Sequence, residues 1–365
     1  MVAYLLLLIV PLGTWLSVSS GHMSIRKKSF TNKKKNSCVL LAFFLVLLIL
    51  LMLRSSNVGI DLQVYLPRFQ EIADTTWNKI FTLSDNEPGY IILNKLISVI
   101  GTNNQFFLSL IALITILPLC IFYCKESENA LLTVSIFLIL PNFIMLFSGL
   151  RQAIAIGLGV PAYYLARRKK LFWFLCIVVL AMQFHQSAFV LLLLYPLLHV
   201  KITKKWLWFV VPCMAAILLF HVEIFNFLLQ FLGGRYQDRY GEIESTGAYT
   251  MIILFVLFAI YAFIVPSSQK LDGATIGLRN ILLLTVCIQF FAPLNSIAMR
   301  INYYFLIFLP ILIPKIANRC NESDVKIISF SKAVMIVFFL VYFLIETATG
   351  VDTLQIYPYI PFWAE

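Results

Sequence analysis

The sequence predicts an all-α, polytopic membrane protein, a helical bundle of about twelve transmembrane helices. Three observations support that expectation. Hydrophobic residues make up 61% of the 365-residue chain and charged residues only 12%, where a soluble domain carries about 25% charged residues. A chain this apolar cannot hide its surface in one globular core, so lipid is its solvent. Its basic residues stand in short clusters between apolar runs, as the cytoplasmic loops of a membrane protein do. The net charge of +11 therefore does not form one soluble basic face, and nucleic acid is not an expected partner.

Taken in order, the apolar runs lie near 2–19, 38–53, 104–124, 130–148, 151–167, 206–221, 249–265, 279–297, 300–317 and 329–348. The first has no basic flank ahead of it and a basic cluster behind it. That is the pattern of an uncleaved helix with its amino end outside, not of a signal peptide. The stretch 171–199 is too long for one upright span and short for two. At about 1.5 Å per residue, each half, 171–184 and 186–199, reaches roughly 21 Å. Arg167, Arg168, Lys169 and Lys170 precede this stretch, and Lys201, Lys204 and Lys205 follow it. Two short helices with His185 at their turn return both clusters to the cytoplasm.

This threading leaves both termini extracytoplasmic, in a cytoplasmic membrane. It reads residues 1–365 as one integral membrane domain with two long outer loops, 54–103 and 222–248. The first loop contains a short amphipathic helix at 88–100, where Pro88 favours initiation. Seven cysteines form no CxxC pair, and Cys120 and Cys124 share a face without further ligands. They read as core residues, and neither a metal nor a cofactor is expected.

Eight of the 28 basic residues stay outside, against the positive-inside bias: Arg54, Arg68, Lys79, Lys95, Arg151, Arg235, Arg239 and Arg300. An Arg at a helix mouth either snorkels to headgroups or serves an anionic ligand, and its fork suits phosphate oxygens. Arg68 and Lys79 read as solvated loop residues. Arg54, Arg151 and Arg300 stand at span ends, and Arg235 and Arg239 alternate with tyrosines. For Arg151 the small residues that follow (Ala153, Ala155, Gly157, Gly159) favour a closely packed, functional setting. Glu87 either starts the 88–100 helix and meets its dipole, or acts as general base or sugar ligand. Asp61 either pairs with Arg54 or offers a second carboxylate. His185, with Gln183, Gln186 and Ser187 around it, either links two helices or exchanges a proton with substrate.

Five blocks together resemble the EpsG family of Wzy-type polysaccharide polymerases: Arg54, Val58, Gly59, Asp61 and Tyr65; Glu87, Gly89 and Tyr90; Arg151, Gln152 and Ala155; Phe184, His185, Ser187 and Ala188; Arg300, Tyr303 and Tyr304. They fall in the family's order across roughly 40–315. The resemblance implies a GT-C-like membrane glycosyltransferase that is metal-independent. It would act on undecaprenyl-pyrophosphate-linked oligosaccharides at the outer face of the bacterial cytoplasmic membrane, for capsule, exopolysaccharide or O-antigen. A chain-length regulator is a further candidate partner. On this reading Arg54, Arg151, Gln152, Arg235, Arg239, Arg300, Tyr90 and Tyr303 bind substrate or pyrophosphate. Glu87 is the first choice for base, with His185 and Asp61 behind it. The alternative is a flippase for the same lipid-linked saccharides, which also wants an Arg-lined path.

Overall fold

The computed structural model describes residues 2–20, 31–83, 87–232, 248–267, 271–350 and 354–364. Among the described residues the regular structure is helical, apart from one isolated antiparallel bridge between Arg54 and Pro361. The chain forms two compact units: residues 1–165, 170–189 and 330–365 in the first, 166–169 and 190–329 in the second.

In the first unit, α1 (Val2–Ser19) and α5 (Asn104–Glu126) both pack along α2 (Asn32–Leu53). The Asn103 side chain accepts from the backbone of Gln105 and Phe106 and so caps α5, relieving donors that the first turn leaves open. After α2 the backbone turns through Gly59 into α3 (Leu62–Asp74). Leu62, Leu66, Phe69 and Ile72 recur at helical spacing and are buried, which is the amphipathic pattern that holds a surface helix to its core. Next comes α4 (Pro88–Ile100), with Pro88 in its first turn. Lys95 on α4 is buried, and its Nζ donates to the Ala73 carbonyl at 2.9 Å and the Ile72 carbonyl at 3.3 Å. These are among the last carbonyls of α3, where a cation is favoured.

The run after α5 breaks into α6 (Ala130–Ile139) and α7 (Pro141–Ser148), bent by 65°. Pro141 opens α7, where its missing N–H costs no bond. There follow α8 (Leu150–Arg167) and α9 (Leu171–Met182), then a turn and a 3₁₀ helix, Gln186–Leu193. Most of α17 (Val325–Thr349) also belongs to this unit.

The second unit centres on α14 (Gly273–Gln289), which packs against α10 (Leu194–His199), α13 (Tyr249–Ile264) and α15 (Ser296–Leu306). It also contains α11 (Leu207–Leu219), α12 (His221–Leu232) and α16 (Leu309–Ala317). Asn280 donates to the Leu197 and Val200 carbonyls, and Arg279 donates to Ile202 with its guanidinium 4.0 Å from the Phe263 ring centre. Asn302 donates to Thr285 O and Gln289 Oε1, tying α15 to α14 by polar bonds inside an apolar interior.

The all-α polytopic class stands. Among the described residues four helices are long and apolar enough to cross a membrane, or seven if each of three bent pairs is one span. Two runs read as continuous, 130–148 and 300–317, are interrupted, and the pieces of 171–199 are short. Hydropathy registers apolar length but not where proline or a buried polar group divides a helix. The segments read as outer loops also hold more helix than expected: α3 and a 3₁₀ turn (Trp77–Thr82) lie within 54–103, and α12 occupies the start of 222–248.

Gly59 shows how closely the backbone packs before α3. Its φ is +111°, and a Cβ there would lie 2.1 Å from the Phe147 carbonyl oxygen. Gly59→Ala is expected to destabilise the protein by about 2 kcal/mol or more, read as a lowered midpoint of thermal unfolding in detergent.

Candidate active site

Four segments distant in sequence converge in the first unit. Glu87 precedes α4 in an extended conformation, and its side chain makes no capping bond to the helix it starts. The carboxylate is thus free to reach outward. Gly89 lets α4 press onto the turn after α9: a Cβ there would stand 2.7 Å from the Gln183 Cβ and 2.8 Å from its carbonyl oxygen. Through that contact the Tyr90 amide donates to the Gln183 carbonyl at 3.1 Å. The turn is thereby fixed beside Glu87, and the Gln186 backbone amide donates to Glu87 Oε1 at 3.0 Å.

Arg151, in the first turn of α8, meets the other oxygen: Nη1 lies 2.6 Å from Glu87 Oε2. Its Nε donates to the Tyr65 hydroxyl at 3.4 Å, with the guanidinium carbon 5.7 Å from the Tyr65 ring centre. Tyr65 stands edge-on to Tyr90. His185 Nδ1 lies 3.6 Å from Glu87 Oε1 and 3.5 Å from Ser187 Oγ. The Glu87 side chain is 8% exposed, Arg151 27% and His185 24%. A nearly buried carboxylate therefore faces two basic side chains that solvent still reaches. Beneath them lies a packed apolar cluster that includes Leu66, Phe69, Phe107, Leu150 and Ile154.

Glu87 has both oxygens engaged, one by a guanidinium and one by an amide. His185 stands beside the same carboxylate.

The other predicted residues take varied positions. Asp61 precedes α3, half-buried, with its backbone amide donating to Ser148 Oγ. Its expected pairing with Arg54 does not form: among the described residues its carboxylate has no salt bridge. Gln152 and Tyr90 are buried next to Arg151 and Glu87 in the chain. Arg54 is 1% exposed, with Nη1 3.4 Å from the Leu146 carbonyl. Arg300 and Tyr303 both lie on α15 in the second unit, Arg300 exposed and Tyr303 buried. Arg235 and Arg239 lie outside the described residues. Among the described residues no three His, Cys, Asp or Glu side chains are grouped as metal ligands.

Sequence reading missed two participants. Tyr65 appeared only as the end of its block, although it falls four residues after Asp61 and so one turn along α3. The Gln186 amide was invisible because a backbone donor leaves no signature in residue type.

Fold and cluster together define a multi-pass helical membrane protein with an ionisable site set among short helices. Within that class the chain belongs to the EpsG family, whose profile matches residues 37–360. The family is one of glycosyltransferase-like, polysaccharide polymerase-type membrane proteins. No curated protein and no solved structure matched the chain.

A double-mutant cycle over Glu87→Gln and Arg151→Gln is expected to give a coupling energy of about 1–2 kcal/mol, below a fully buried pair because solvent reaches Arg151. Unfolding midpoints of the two single variants and the double variant measure it.

Proposed function

We propose that the protein joins oligosaccharide repeat units carried on undecaprenyl pyrophosphate, at the outer face of a bacterial cytoplasmic membrane. The single observation behind this reading is the 2.6 Å contact of Arg151 with Glu87, with His185 against the same carboxylate. Growth of a chain on a lipid diphosphate needs two things at one place: a cation for the departing diphosphate and an acceptor for the hydroxyl proton. Arg151 and His185 supply that pair.

In the proposed step, the acceptor hydroxyl oxygen attacks the anomeric carbon of the other unit. The bond from that carbon to the diphosphate oxygen breaks, and its electron pair leaves with the diphosphate. The hydroxyl proton passes to the His185 imidazole. Arg151 stabilises the charge that builds on the departing oxygens, and its fork suits them. As the diphosphate takes the guanidinium, Glu87 loses its counter-charge and turns to the imidazolium forming at His185. Anion binding thus switches on the base. Sequence alone put Glu87 first as proton acceptor. We place His185 first, since both Glu87 oxygens are already engaged, with Asp61 behind them. Tyr65 holds the Arg151 side chain in line. Arg300 and Tyr303 keep their proposed substrate-binding roles from their sequence block, as do Arg235 and Arg239.

Arg151→Ala is expected to abolish chain growth while the protein still inserts. Polymer of normal length in cells carrying that variant would remove the central role given to Arg151. In liposomes supplied with lipid-linked repeat units, the wild-type protein is expected to elongate them, whereas translocation without elongation would identify a carrier. In the same assay His185→Gln should lower kcat by about 10²–10⁴ and change KM little.

A further inference from the structure

Arg54, at the end of α2, is a buried cation without a counter-ion. Among the described residues no carboxylate pairs with it. Its Nε has no hydrogen-bond partner, its Nη1 has one long bond of 3.4 Å to Leu146 O, and the Phe147 ring lies 5.6 Å away. Two other buried cations are held more closely: Lys95 has two carbonyls, and Arg279, whose Nε also lacks a partner, has a carbonyl at 2.5 Å and a ring at 4.0 Å. An unpaired guanidinium out of water is costly, and such residues are kept where an anion is bound at some stage.

Residues 354–364 cover this position. Ser55 N donates to Ile360 O at 2.8 Å, Gly59 N to Gln355 O at 3.0 Å, and Ile60 N to Leu354 O at 2.8 Å. Two tyrosines complete the attachment: Tyr4 Oη donates to Ile356 O and Tyr359 Oη to Leu50 O. The segment has no long helix of its own. It is also held by the buried Ile356 side chain and by edge-on contacts of the Tyr357 and Tyr359 rings with Tyr4, while each backbone bond is one that water can replace at small net cost. Phe362 and Trp363 at its far end are exposed.

We propose that residues 354–364 form a strap over an occluded oxyanion site at Arg54, and that the strap lifts to admit one phosphate of a diphosphate. The proposal rests on the polymerase reading only for the source of that diphosphate. With the strap down, the guanidinium is sealed and uncompensated. With it lifted, phosphate oxygens take the Nε and Nη donors that the protein leaves open.

The test uses the full-length protein in nanodiscs with inorganic pyrophosphate as probe and amide hydrogen exchange as readout. Saturating pyrophosphate is expected to speed exchange at Ser55, Gly59 and Ile60 about tenfold as their strap partners withdraw. Arg54→Gln should lose this response. Tyr359→Phe, which removes one strap bond and a hydroxyl near Arg54 but leaves the guanidinium in place, should raise the association rate of pyrophosphate about fivefold. Unchanged or slower exchange at the three amides on binding overturns the strap, as does an association rate unaltered in Tyr359→Phe, or absence of pyrophosphate binding. The elongation assay reports separately on the polymerase reading. Elongation that persists alongside a failed exchange test removes the strap alone, and loss of elongation with a positive exchange test removes the polymerase reading alone.

Discussion

The Glu87–Arg151 ion pair is the contact around which the first unit's site is arranged. It joins the start of α4 to the start of α8, and the Gln186 amide brings the turn after α9 onto the same carboxylate. One acidic side chain thus fixes three segments that the sequence separates widely. Low solvent access makes each of these bonds stronger and the loss of any one more costly. The same enclosure makes the pair responsive. In the proposed reaction a second anion at Arg151 does more than compete: it alters what Glu87 can do for its neighbour.

Much of this was legible in the sequence where residue type and chemistry coincide. Pro88 and the apolar spacing after it located α4 to the residue. Charge clusters on either side of 171–199 required a turn near His185, and α9 ends at Met182 with the 3₁₀ helix starting at Gln186. The ordered blocks gave the family. Harder to read was anything decided by backbone geometry. No feature of residue type announces that the Gln186 amide points at Glu87, or that Gly89 is needed for the approach of Gln183. Helix α3 went unread because its 13 residues are too few for a span and lie in the stretch taken as the outer loop 54–103. The break within 130–148 was hidden similarly, since a window of hydropathy cannot register the 65° bend between Ala130–Ile139 and Pro141–Ser148.

The buried cations show how a chain in lipid spends its few charges. Lys95 binds helix 3 to helix 4 by satisfying carbonyls that α3 cannot satisfy itself. Arg279 does the same for the residues after α10. In both cases the cation satisfies backbone carbonyls, a structural use that needs no substrate. Arg151 differs in having a carboxylate partner and some contact with solvent, and Arg54 differs in having only one long bond to a carbonyl.

The Lys95 and Arg54 arrangements also differ in when they can form. Ile72 and Ala73 are synthesised before Lys95, so its charge finds its carbonyls as soon as it leaves the ribosome. Leu50 and Tyr359, by contrast, are 309 positions apart. Throughout most of translation the guanidinium at position 54 has no cover, and a nascent chain must carry it through insertion exposed to water or to lipid phosphates. Closing that region therefore waits until residues 354–360 have been made, and a ribosome that stops short of codon 354 releases a protein with this corner still open.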